Sequence, residues 1–184
     1  MAFSLIEELR KSLGFPPLKK IDPNIQETKG TTPASNDLAQ AAVPGVLAGI
    51  FKLSQSENGA RLLLSGYSDR NWLQAIYEGK EMEAVDKIAQ YAGATSQDTS
   101  TMMESIAKEA VRIIRDHAGA HGTTESVKTV IKDHRHEILS YLPAAMQFGY
   151  LLNDNTLDDR TNKMEGPISN LMHKIENKMS GGDT

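Results

Sequence analysis

Along most of this chain apolar residues return every three or four positions, and the pattern is punctuated by glycine and proline rather than alternating. That spacing is helical. Residues 2–13 place Phe3, Ile6, Leu9 and Leu13 on one face, and Gly14-Phe15-Pro16-Pro17 stops them. From there to Asn36 the prolines, Gly30 and runs of Thr, Asn and Ser predict an extended linker. Asn36 is placed as the N-cap of a helix from Asp37 to about Gln55, with a bend at Pro44-Gly45.

A short helical turn follows over Gly59–Ser65. Ser68 and Asp69 then start a helix carrying Trp72, Leu73, Ile76 and Tyr77, which Gly79 ends. The next begins at Glu81, turns Met82, Val85, Ile88 and Ala89 inward and closes at Gly93. Ser96 is read as the cap of the longest pattern, in which Met103, Ile106, Ala110, Ile113 and Ile114 recur until Gly119 and Gly122. Thr123 or Thr124 begins one further long helix, striped by Val127, Val130, Ile131, Ile138 and Leu142 and interrupted at Pro143. An acidic loop, NDNTLDDRTN, leads to Pro167, which suits the first turn of a last helix. There Ile168, Leu171, Met172, Ile175 and Met179 share a face, before a frayed SGGDT tail. The pattern predicts an all-α, multi-helical single domain of seven to eight helices. Its core is residues 37–150. An amino-terminal helix and linker (1–36) and an acidic loop with a carboxyl-terminal helix (151–184) form two amphipathic arms.

Composition narrows this picture. Four Phe, five Tyr and one Trp among 184 residues leave the core to Leu, Ile, Val, Ala and Met, a palette that favours helices over a β-sandwich. The absence of cysteine removes thiolate nucleophiles, thiolate metal sites and disulfides. A formal charge of −4 supplies no general attraction to nucleic acid or anionic lipid. Glu7 and Glu8 interrupt the first apolar pattern, so it does not read as a secretory signal. The most apolar stretch, Leu38–Phe51, has 14 residues, short of the ~20 that span a bilayer. The expectation is a soluble, cytoplasmic protein.

Three stretches carry a resemblance. AVPGVLAGIFKLSQSENGARLLLSG is an apolar helix with an internal Pro followed by a Gly-initiated segment. VDKIAQYAGATSQDTSTMMESIA reads helix, Gly turn, helix, and IKDHRHEILSYLPAAM is a charged helical turn running into Leu-Pro and small residues. Together, over residues 38–146, they resemble the YidB-like family of bacterial helical domains of unknown function. The resemblance implies a helical fold and brings no catalytic residues with it.

Residues 81–117 read as a helix-turn-helix, with Ile88, Ala89, Gly93 and Ala94 meeting the needs of a tight turn. A base-reading helix would begin at Gln97, yet it offers Gln97 beside Asp98 and Glu104. Between Glu81 and Asp116 lie seven acids and four bases. Phosphate neutralisation supplies most non-specific DNA affinity, so this surface is expected to repel DNA and the turn to serve packing.

Four of the five histidines, His117, His121, His134 and His136, fall between residues 117 and 136. His117 and His121 are one helical turn apart, as metal ligands often are, but Gly119 and Gly122 interrupt the helix there. In an antiparallel hairpin turning at 119–123, His134 stands ~15 Å along the axis from the turn, too far to share one ion with the other two. NDNTLDDRTN lacks the acid spacing, central Gly and closing Glu of a calcium loop. Asp158, Asp159 and Glu165 read as surface carboxylates. Met102, Met103, Met146, Met172 and Met179 read as core, or as an adaptable groove for a partner. No catalytic, cofactor or metal residue is assigned. The chain is expected to be a non-enzymatic protein that acts by contact with another protein or itself through its terminal helices, with neither nucleic acid nor membrane as partner. A DNA-binding module over 81–117 and a metal-dependent enzyme over His117–His136 are the alternatives.

Overall fold

The most apolar stretch becomes the axis of the molecule. The computed structural model describes residues 3–21, 34–66, 70–143 and 146–154. All elements among these residues are helical: α1 (Leu5–Ser12), α2 (Ala34–Ser54), α3 (Glu57–Ser65), α4 (Trp72–Tyr77), α5 (Glu81–Ala92), α6 (Ser96–Ala118), α7 (Thr124–Asp133), α8 (Arg135–Tyr141) and α9 (Phe148–Leu151). The Leu38–Phe51 stretch lies in α2, where Ala41, Ala42, Val43, Val46, Leu47, Ala48 and Ile50 have no exposed surface. A helix apolar all round has to be covered all round. α1 and α3 to α8 all pack against α2. Among the described residues no helix is long and apolar enough to cross a membrane.

The long α6 is the second pillar, burying Met103, Ile106, Ala110, Ile113 and Ile114 against α2 and α5. Trp72, Leu73, Ile76 and Tyr77 of α4 are all buried, and the Tyr77 hydroxyl donates to the Gly45 carbonyl of α2 at 3.1 Å. Burial holds the Tyr77 phenol well above its ordinary range, so it stays a neutral donor.

Several boundaries differ from the sequence expectation, each for a local reason. α2 begins at Ala34, so Asn36 is inside the helix rather than its cap, and helical structure continues through Pro44. The third helix is initiated by Ser56, whose hydroxyl accepts from the Gly59 amide at 2.9 Å, not by Gly59 itself. Ser68 and Asp69 lie outside the described residues, and Asn71 caps α4. Thr95, extended at φ −77° and ψ 150°, caps α6, which leaves Ser96 as its first helical residue. Met82 sits at the edge of the α5 stripe and is 62% exposed, whereas Val85, Ile88 and Ala89 are buried.

The largest difference is at His134. The single helix expected after Thr123 is two, α7 and α8. The His134 ring turns back so that Nδ1 lies 2.7 Å from the Val130 carbonyl. Its own backbone amide meanwhile donates to Ile131 in a tightened turn. Side-chain capture of a carbonyl at i−4 ends α7 there.

Candidate functional site

The residues singled out for chemistry converge on the amino-terminal arm. α1 has eight residues, too few to persist alone in water, so it is helical because it is docked. Leu5, Ile6 and Leu9 have no exposed surface and join the common core, resting on α6 and α2. The arm therefore packs on its own chain.

Polar contacts fix its register. The Ser4 hydroxyl caps α1, accepting from the Glu7 amide at 3.2 Å, and donates to the Glu137 carboxylate of α8. At the other end the Ser12 hydroxyl donates to Glu109 of α6. Arg10 pairs with Glu7 at 2.8 Å and donates to the Phe15 carbonyl at 3.0 Å. The backbone of Lys19 makes two hydrogen bonds with the Gln40 amide, at 2.8 and 2.9 Å, and the Ile21 amide donates to the Ser140 carbonyl at 2.8 Å. Residues 3–21 thus strap across α6, α2 and α8.

Two of the four clustered histidines hold the start of this strap. The Phe3 ring stacks on His117, with centroids 3.5 Å apart and planes at 21°. It also meets His134 edge-on at 4.5 Å and 70°. His117 Nε2 lies 3.0 Å from Glu8 Oε2. His134 faces a carbonyl with each nitrogen: Nδ1 towards Val130 at 2.7 Å and Nε2 towards Phe3 at 3.1 Å. The sequence reading spread these two imidazoles along a hairpin and did not foresee that a phenyl ring from the other end of the chain would touch both. His121 and His136 are exposed. Among the described residues no three His, Asp or Glu side chains are grouped as a metal ion requires.

The helix-turn-helix exists as connectivity. Gly93 closes α5 in the left-handed region, at φ 66°, and Thr95 accepts from the Asp98 amide at 3.1 Å to open α6. The surface it presents is acidic and self-occupied. Asp86 accepts from Ser96 at 2.9 Å, Asp98 accepts from Thr95 at 2.8 Å, and the Thr101 and Ser105 hydroxyls donate to carbonyls of their own helix. Glu104 faces away from any such reading surface. Its carboxylate accepts from the Trp72 and Leu73 amides at 3.1 Å each, capping α4. A carboxylate at a helix N-terminus satisfies free amides and complements the dipole.

No family model, curated protein or solved structure matches this chain. The geometry alone therefore decides what the remaining candidates do. Met103 and Met146 are core, and Met102 is packed against it. Met172, Met179, Asp158, Asp159, Glu165 and the carboxyl-terminal helix of the sequence reading lie outside the described residues. Among the carboxylates, Glu7 is held below its ordinary range by the hydrogen bond from Arg10, and Glu109 by that from Arg112. Glu57 is lowered in the same way by Lys128, which joins α3 to α7 at 2.8 Å. Acids so stabilised as anions are poor proton donors near neutral pH. Sequence reasoning missed Phe3, Glu8, Glu104 and Glu137, whose partners lie from 31 to 133 positions away and leave no local signal.

Proposed function

We propose that this is a non-enzymatic, cytoplasmic helical domain that works by contact with another protein or with a second copy of itself, and that residues 38–146 form a core of the YidB-like kind. The carrying observation is that, among the described residues, two large apolar side chains are left in solvent, Met82 at 62% and Tyr150 at 73% exposure. They stand on adjoining elements: α9 packs on α5, and Lys80 donates to the Leu151 carbonyl at 2.8 Å. Met and Tyr are enriched where proteins meet, one adaptable, the other rigid with a polar tip. The arm, by contrast, buries its stripe of Leu5, Ile6 and Leu9 in the common apolar cluster.

What supports the non-enzymatic part is the structural use of the polar groups around the arm and at the start of α4. Glu104 caps α4, Glu137 and Glu109 hold the two ends of α1, and the His134 ring lies between carbonyls of α7 and of the arm. Each joins one element to another. The test is a photo-crosslinking side chain placed at position 82 or 150 of the full chain in cells, with Thr129 on α7 as the control position. The expected result is a discrete crosslinked species from 82 and 150, containing a second chain, that Thr129 does not yield. Equal yields from all three positions would sink the proposal. Retardation of a duplex at low salt would instead favour the module over 81–117, and stoichiometric metal after purification the enzyme over His117–His136.

A further inference from the structure

Carbonyl oxygens only accept hydrogen bonds, so a ring whose two nitrogens both face carbonyls needs a proton on each. His134 is such a ring. Neutral imidazole carries one N–H. Whichever nitrogen holds it, the other directs a lone pair at Val130 O, 2.7 Å away, or at Phe3 O, 3.1 Å away. Protonated, the ring donates to both, and its two acceptors belong to α7 and to the arm. His117 works in the same sense on the other side of Phe3: its contact with Glu8 becomes an ion pair only when the imidazole is charged.

We propose that His134 and His117 form an acid-strengthened latch on the amino-terminal arm: charged, they clamp Phe3 and α1 onto the core, and neutral, they loosen it. Histidine is the side chain that changes charge between pH 5 and 8. The other charged groups near the latch include Lys132 and Asp133, which precede His134 at the end of α7, and Arg135, which follows it and lies over the Phe51 ring. From α1 comes Glu8, the partner of His117. From α6 come Arg112, whose charge reaches Glu8, and the Glu109 and Asp116 carboxylates that pair with Arg112 at 2.7 and 2.6 Å. From α8 comes Glu137, which accepts from Ser4 and whose second carboxylate oxygen is buried without a partner. Glu8 is the carboxylate in contact with a latch imidazole, and Arg112 is already paired with Glu109 and Asp116. Loosening the latch uncovers Leu5, Ile6 and Leu9 together with the face of α6 beneath them.

The sign follows from the hydrogen-bond count. The docked arm prefers the protonated rings, so its extra stability is present in mild acid and is lost as pH rises. Amide hydrogen exchange of residues 8–13 in the full chain reads this directly, once each rate is divided by the chemical exchange rate at its pH. Between pH 6 and pH 8, above the ordinary carboxylate range, protection there is expected to fall about tenfold relative to Ala110 in α6, one charge-assisted hydrogen bond's worth. In His134→Gln, whose amide does not titrate, most of that fall should vanish. Flat relative protection in the unaltered chain overturns the latch, as does an undiminished fall in the variant. A second reading needs no variant: in ring ¹⁵N shifts of His134 recorded across the same pH range, loss of α1 protection should track loss of the second ring proton, and a fully protected α1 beside a ring with one unprotonated nitrogen would equally overturn the latch.

Discussion

Gly59→Ala should destabilise the protein by about 3 kcal/mol, the sum of an overpacked contact and a weakened cap, although helix propensity alone argues the opposite sign. Alanine in a helix is favoured over glycine by up to ~1 kcal/mol, and Gly59 lies in the first turn of α3. A Cβ there, however, would stand 1.9 Å from the carbonyl oxygen of Leu53. That atom is backbone, and it already accepts from the Ser56 amide at 3.3 Å and the Ser56 hydroxyl at 3.2 Å. Relief requires α3 to move off the end of α2. The displacement disturbs Ser56, whose hydroxyl caps the Gly59 amide at 2.9 Å. Urea unfolding of the two proteins decides between the effects. A gain of stability would mean that α3 does not approach α2 as closely as described.

Leu9→Ala is expected to cost about 3 kcal/mol of global stability, within the 2–5 kcal/mol usual for a leucine removed from a packed interior. Leu9 has no exposed surface and belongs to the same apolar cluster as α2 and α6. The magnitude matters less than where it appears. If the docked arm lent the core no stability, losing Leu9 would fray α1 and leave the main transition unmoved. Packed in the common core, it should shift the whole transition, and α1, which also opens on its own, should lose at least as much protection as α6. Circular dichroism melting alongside amide exchange at Ala110 separates the two cases.

These effects show which parts of the molecule a linear reading can reach. The stripes of α5, α6 and α7 are local patterns, and Val85, Ile88, Met103, Ile106, Val127 and Ile131 are buried as their spacing predicts. The α2 stretch was legible as apolar all round, and hence as something to be surrounded. Three kinds of feature were not legible. Caps hinge on backbone angles, so in Thr95-Ser96 two good capping residues stand side by side and only the extended conformation of Thr95 selects it. The α7–α8 break lies within a continuous stripe, because it arises at the His134 ring, held on one side by the chain's far end. Long-range polar roles leave no trace in spacing: Glu104 sits 32 positions from Trp72, and Glu137 sits 133 from Ser4. The histidine cluster is the sharpest case. It was conspicuous in sequence as possible ligands, and its geometry turns on Phe3, a residue that pattern reading assigned to a separate arm.

Polar side chains from α6, α8 and the α7–α8 junction secure the arm to its own core. The most direct measurement is an isotope-filtered NOE spectrum of an equal mixture of ¹³C-labelled and unlabelled chain. Cross-peaks from the Phe3 ring to His117 and His134 are expected within the labelled chain, and none between labelled and unlabelled chains. Cross-peaks between chains, or no contact of Phe3 with either histidine, would contradict that arrangement.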